Sequence, residues 1–207
     1  GNMLAPDPDE PNRIAETLSK LDISYAVITS VDRDDLIDGG AGHWVKTIQF
    51  IRSKCPKMKI ESLIPDFQGN TNLVEKICKA EPDVLAHNLE TVESLQSRLR
   101  PQCRYAWSLN TLRTAADKKN LIVKSSLMLG LGEKEKEVVR SMKDLVSAGC
   151  QILSLGQYLR PSPRHLEVVE FIHPDKFSEY KEIGESLGFK HVESGPLVRS
   201  SYLADKQ

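Results

Sequence analysis

The sequence predicts an α/β protein built on a parallel sheet. Short apolar runs of strand character recur along the chain, amphipathic stretches of helical period separate them, and the connections between them are short. That alternation implies right-handed crossovers between parallel strands, and an open doubly wound sheet and a barrel both satisfy it. The 207 residues suffice for one domain with a substantial core, spanning 1–207 and ending in a polar segment over 193–207.

Leu4 to Pro11 reads as a loop leading into a helix over Asn12 to Leu21. Tyr25 to Ser30 (YAVITS) is a buried-strand pattern that runs into the charged loop Val31 to Leu36. His43 to Ser53 places Trp44, Val45, Ile48 and Ile51 on one helical side. Lys59 to Ile64 is the next strand, stopped by Pro65-Asp66 and the turn pair Gly69-Asn70. A helix over 71–80 and a strand over Asp83 to Asn88 follow, then helices over Val92 to Leu99 and Arg104 to Lys119. Ile122 to Leu129 is a fourth strand, and Glu135 to Ala148 a helix that Gly149 terminates. Ile152 to Leu155, the helix Pro174 to Leu187 with Gly188 after it, and the short strand Lys190 to Glu193 complete the pattern. The chain has neither an internal repeat nor a low-complexity segment.

Composition narrows the function classes. A net charge of −1 argues against a general nucleic-acid or acidic-membrane binder. No apolar run has the length to cross a bilayer, and the opening Gly1-Asn2-Met3, followed by an acidic Pro-rich stretch, is unlike a signal peptide. The four cysteines, Cys55, Cys78, Cys103 and Cys150, are isolated and read as reduced thiols of an intracellular protein.

Polar residues concentrate where strands end. Thr29-Ser30-Val31-Asp32-Arg33-Asp34-Asp35 sets three carboxylates beside two hydroxyls, suited either to a solvated loop or to a pocket edge that receives an ammonium group. Asn88 and Glu90, after the third strand, suit a ribose diol or an amino-acid head group, or a turn with a helix cap. Lys124 lies on the fourth strand, where an ionised ammonium must reach an anion; a substrate carboxylate would serve. Gly130-Leu131-Gly132-Glu133 permits close backbone approach but is no GxGxxG fingerprint, so a nicotinamide dinucleotide site is rejected. Gln157, Tyr158 and Leu159 offer an amide and a ring edge to a planar base, or ordinary packing, and His165 and His173 read as structural or surface residues. Arg199-Ser200-Ser201-Tyr202 follows the turn pair Gly195-Pro196 and packs two hydroxyls between a guanidinium and a phenol.

Six segments, taken together, resemble lipoyl synthase, a radical S-adenosylmethionine (SAM) enzyme. They are VITSVDRDDLIDGG (27–40), LIPDFQG (63–69), AHNLETV (86–92), KSSLMLGLGE (124–133), LGQYLRPSPRHL (155–166) and SGPLVRSSY (194–202), in the family's order. The resemblance implies a partial TIM barrel of the radical SAM type, here with its first strand missing. It implies SAM at the strand C-termini, one [4Fe–4S] cluster beside it, and a second cluster consumed as sulfur source. Thr29, Ser30 and Asp32 would lie near the SAM amino group, and Asn88 and Glu90 near its ribose or methionyl part. Lys124 would meet its carboxylate, and Gln157, Tyr158 and Leu159 would border the adenine. Ser201, or Ser200, would ligate the auxiliary cluster through a hydroxyl, a poorer ligand for iron than a thiolate, with Arg199 anchoring the segment.

The implied reaction is sulfur insertion at C6 and C8 of an octanoyl chain carried on a protein lysine, with a radical from reductive cleavage of SAM opening the C–H bonds. The implied partners are octanoylated lipoyl-carrier domains (2-oxoacid dehydrogenase subunits, the glycine-cleavage carrier protein) and a reductant such as ferredoxin or flavodoxin. Neither nucleic acid nor membrane is expected. The location is bacterial cytoplasm, with the mitochondrial matrix as alternative. The family's CxxxCxxC loop and its further three-cysteine set find no match here, and none of the four cysteines falls in a matching place. Clusters are held by cysteine thiolates, so the chain reads as a C-terminal fragment or truncated form, inactive alone. A non-catalytic SAM- or protein-binding remnant and an aldolase using Lys124 as Schiff-base amine are the competing readings.

Overall fold

The structure is a computed structural model that describes residues 4–206; the Gly1-Asn2-Met3 opening and Gln207 lie outside the described residues. Six strands form one sheet: β1 Tyr25–Thr29, β2 Lys59–Leu63, β3 Val84–Ala86, β4 Ile122–Leu129, β5 Ile152–Gln157 and β6 His191–Gly195. They lie in sequence order, and every neighbouring pair is parallel. A doubly wound sheet reverses its strand order at a switch point; this one never does, which decides for barrel winding.

Among the described residues there are seven α-helices, α1 ahead of the first strand and the rest between strands: α1 Glu10–Ser19, α2 Ala41–Lys54, α3 Thr71–Cys78, α4 Glu93–Leu99, α5 Tyr105–Ala116, α6 Glu135–Ser147 and α7 Pro174–Leu187. Their ends follow from local chemistry. α7 opens on Pro174, whose missing N–H has no partner to lose there, and closes on Gly188 at φ 107°. α3 starts where the Asn70 side chain accepts from the Asn72 N–H. α1 begins two residues before the periodicity suggests, because Pro11 is tolerated in a first turn.

The two sheet faces do different work. Ala26, Ile60, Leu85, Val123, Leu153 and Val192 share one parity along their strands and pack under the helices, with Ile48, Met142, Leu145 and Phe177 opposite them. Burying one such Leu or Phe stabilises the fold by roughly 1.5–3 kcal/mol. The other parity faces inward: Tyr25 on β1, Glu61 on β2, Lys124 on β4 and Gly156 on β5. There the Lys124 ammonium meets Glu61 Oε1 at 3.0 Å, and the Tyr25 hydroxyl donates to Glu61 Oε2 at 2.6 Å. Both members of the ion pair are sealed from solvent. After β6 the chain crosses back, and its last short turn, Ala204–Lys206, packs near β1.

Candidate functional site

At the C-terminal ends of β3, β4 and β5 lies a cavity of about 700 Å³, within the range of small-molecule sites. Asn88 and Glu90 form one wall, Ser126 and Met128 the floor, and Gly156 to Leu159 the opposite wall, with Val198 to Ser200 crossing it. A smaller cavity of about 150 Å³ adjoins it, lined by Thr29, Ser30, Asp32, His87 and Pro65. Asn88, Glu90 and Arg100 line both.

The loop after β3 is held by hydrogen bonds that its sequence dictates. His87 is buried, with Nδ1 2.8 Å from the Ile64 carbonyl and Nε2 2.9 Å from Ser108 Oγ. A ring that donates to a carbonyl and accepts from a hydroxyl is neutral, and burial pushes its pKa below the usual histidine value. Glu90 follows in the left-handed region at φ 70°, a strained setting for a side chain. It persists because the Glu90 N–H donates to the Ser126 carbonyl at 3.0 Å and the Met128 N–H to the Glu90 carbonyl at 2.8 Å. This latch turns the Glu90 carboxyl into the neck between the cavities. Burial pushes that carboxyl's pKa up, opposed by Asn88 and Arg100. Asp32 is likewise raised by burial, with Arg100 pulling the other way.

Several expected residues meet here and several do not. Thr29, Ser30, Asp32, Asn88 and Glu90 line the small cavity together. Of the three carboxylates of the acidic loop only Asp32 does so, and Asp35 is bound to Arg33 at 2.8 Å. Gln157, Tyr158 and Leu159 border the larger cavity. Their polar groups are engaged, however: the Gln157 amide donates to the Tyr158 and Glu170 carbonyls and accepts from the Ile172 N–H, and the Tyr158 hydroxyl donates to the Leu166 carbonyl. They offer a planar ligand apolar surface, not side-chain hydrogen bonds.

Lys124 is a correction. The ammonium that was to meet a ligand carboxylate meets Glu61 instead, is buried on the inner face, and lines neither cavity. Burial pushes its pKa down, and the Glu61 charge opposes this. In the C-terminal segment, Arg199 and Ser200 line the larger cavity while Ser201 is exposed outside it. The Gly130–Glu133 loop folds on itself: the Glu133 carboxylate accepts from the Gly130 and Leu131 N–H groups. Gly156 was not singled out from the sequence, yet a Cβ there would overlap the Val198 carbonyl oxygen. Arg100 was missed too. Its only signal in the sequence was a position just before Pro101 at a helix end.

The donor chemistry discriminates between the cofactors. A roomy cavity joined to a small polar one fits a nucleoside bearing a charged amino-acid tail. The cysteines do not fit an iron–sulfur cluster: among the described residues no three His, Cys, Asp or Glu side chains gather to hold a metal ion. Burial pushes the Cys78 and Cys103 thiols up to about 11 and the Cys150 thiol up to about 12, away from the thiolate that ligation needs.

Comparison with known proteins agrees with this geometry. Residues 1–145 match the Radical SAM superfamily. The lipoyl synthase of Caldanaerobacter subterraneus subsp. tengcongensis is 51% identical over 200 residues, covering 96% of this chain and 70% of that protein. The mitochondrial lipoyl synthase of Schistosoma mansoni is 52% identical over 210 residues, covering 96% of this chain and 51% of the relative. Methylornithine synthase (PylB) shares the fold, with a TM-score of 0.68 at 13% identity over 97% of this chain and 66% of its own. With a barrel-wound parallel sheet, a nucleoside-sized cavity at its strand ends and half its residues shared with such relatives, the chain belongs to the lipoyl synthase family of the radical SAM superfamily.

Proposed function

We propose that this chain is the part of a lipoyl synthase that holds SAM and the octanoyl substrate in register for sulfur insertion at C6 and C8. The observation that carries this is the pair of cavities joined at Asn88 and Glu90. In this reading the SAM amino group lies against Thr29, Ser30 and Asp32, the ribose hydroxyls against Asn88 and Glu90, and the adenine on the apolar surfaces of Gln157, Tyr158 and Leu159. Bound SAM supplies, on reduction, a radical able to open unactivated C–H bonds. The chain's share is to orient the ligand by the latched loop, accept hydrogen bonds from its polar groups and exclude water under the Val198–Ser200 segment.

Because the four cysteines do not fit a cluster, the two [4Fe–4S] clusters of the reading rest on other cysteines. The roles of Arg199 and of Ser200 or Ser201 at an auxiliary cluster rest on family likeness alone. Octanoylated carrier domains are the protein substrate, a ferredoxin or flavodoxin the reductant, and the location cytoplasmic or, as in the schistosome relative, mitochondrial. Neither nucleic acid nor membrane is a partner, and residues 1–207 act as one unit with the 193–207 segment as its cap. Alone, the chain is inactive; lipoyl product formed by it with iron, sulfide and a reductant would refute that. An aldolase-type Schiff base is disfavoured, because Lys124 faces Glu61 in a sealed interior.

Equilibrium dialysis of radiolabelled SAM tests the reading. N88A and E90Q should each weaken SAM binding by about tenfold, the value of one or two hydrogen bonds to a ligand. Affinity unchanged in both variants would remove the site from the account.

A further inference from the structure

The chain is close to neutral overall, yet its unpaired arginines gather in one place. Of the eleven arginines, Arg13, Arg33, Arg52, Arg140 and Arg160 each hold a carboxylate at 2.7 to 3.3 Å. Arg104 lies over the Trp107 ring, 4.8 Å from its centroid, and Arg113 donates to Asn110 Oδ1 at 2.9 Å. The remaining four, Arg98, Arg100, Arg164 and Arg199, all line the larger cavity at the strand ends. Arg100 is half-buried, and its field falls on Asp32 and Glu90. Arg98, Arg164 and Arg199 are exposed and come from three separate parts of the chain: the last turn of α4, the loop after β5 and the segment after β6. Exposed His165 joins them in the lining. Among the described residues Glu90 is the one carboxyl of that lining, and Glu167, on the same loop as Arg164, is held by Arg160 at 3.3 Å.

The proposed cofactor does not account for this rim. SAM bears an ammonium, a sulfonium and one carboxylate, a net positive charge that exposed guanidiniums repel, and an octanoyl chain is neutral. What remains of the substrate is the protein that carries the chain, which comes to rest on the mouth of the cavity when its acylated lysine enters. Arginines are enriched at protein interfaces, and a field of one sign at a cavity mouth steers a partner of the other sign. Three arginines around a mouth do not make the continuous basic track that a nucleic-acid backbone follows.

Resting on the proposed function, we propose that Arg98, Arg164 and Arg199 form a docking rim that receives an acidic face around the modified lysine of the octanoylated carrier domain. The test is biolayer interferometry of the 207-residue chain against a purified lipoyl-carrier domain, octanoylated and unacylated, over a range of salt, with SAM affinity measured on the same samples. Wild type should bind both forms of the carrier, with association slowing steeply as salt rises. R98E/R164E should slow association by about tenfold while its SAM affinity equals that of wild type. Replacing the carboxylates around the carrier's modified lysine by amides should slow association with wild type by a similar factor. R98E/R164E that binds the carrier as wild type does, or a carrier indifferent to loss of its carboxylates, overturns the rim while leaving the SAM site standing. Wild type that binds SAM but no carrier does the same. Wild type that binds neither removes the proposed function, and the rim with it. A single-stranded oligonucleotide bound in preference to the carrier makes nucleic acid the occupant and overturns the proposal. If circular dichroism shows R98E/R164E unfolded, R98Q/R164Q decides: association slowed severalfold supports the rim, and an unchanged rate overturns it.

Discussion

Replacing Lys124 by methionine should be among the most damaging single changes in the chain for stability, yet it should not touch ligand binding. Lys124 and Glu61 are each 1% exposed and meet at 3.0 Å, with the Tyr25 hydroxyl as a second partner of the same carboxylate. K124M leaves the Glu61 carboxylate buried without its counter-ion, a loss of about 3–5 kcal/mol. Set against a domain stability of about 5–15 kcal/mol, this moves the urea midpoint far enough to be read without ambiguity. The double variant E61L/K124M removes both charges and leaves only the Tyr25 hydroxyl without its acceptor. It should lie within about 1–3 kcal/mol of wild type, recovering much of what the single change removes. SAM affinity of the double variant should equal that of wild type, because neither side chain lines a cavity. A K124M cost below about 1 kcal/mol, or a double variant no better than the single one, would refute the buried pair. Loss of SAM affinity in a folded double variant would restore Lys124 as a ligand contact.

Three further outcomes follow from the same geometry. G156A should force the Val198 carbonyl off β5, costing about 1–3 kcal/mol by overpacking and exposing Arg199 to faster tryptic cleavage; unchanged cleavage would show that the segment does not lie there. Q157L should loosen the 158–172 loop, since one amide ties Glu170 and Ile172; amide exchange of the Ile172 N–H should quicken, and an undisturbed rate would contradict the clamp. Burial opposes ionisation of Asp83, but hydrogen bonds from Lys59, Arg52 and the Ile60 N–H outweigh it and hold its pKa below the ordinary 3.8. Its stabilisation is therefore present above pH 3.8 and fades as pH falls through that value toward the lower folded one. D83N should cost about 1–3 kcal/mol at pH 7, and the gap to wild type should close in acid; a gap independent of pH would contradict the shift.

Much of the fold is legible because buried parallel strands are apolar runs and the helices carry their own stops. Ile122 to Leu129 and Pro174 to Leu187 coincide with β4 and α7 to the residue, and Gly188 ends α7 as a left-handed cap should. What the sequence leaves open is whatever depends on partners far along the chain. Strand order, which separates barrel from doubly wound sheet, is one such quantity. The partner of Lys124 lies 63 residues away on β2, so no local pattern could have named it. The Gln157 amide is consumed by backbone 13 and 15 residues downstream, through a loop whose path carries no periodicity. Asn88 and Glu90 were legible because polar side chains at a strand end have few reasons to be there. Arg100 was not, because a basic residue at a helix end already has an ordinary explanation.

The most direct test of the central claim, that the joined cavities at the strand ends hold SAM, is a crystal structure of the chain grown with SAM. The account predicts adenine density against Gln157 to Leu159, ribose hydroxyls at Asn88 and Glu90, and the amino group at Thr29, Ser30 and Asp32. A ligand bound elsewhere on the barrel, or with its amino group turned away from Asp32, would contradict it.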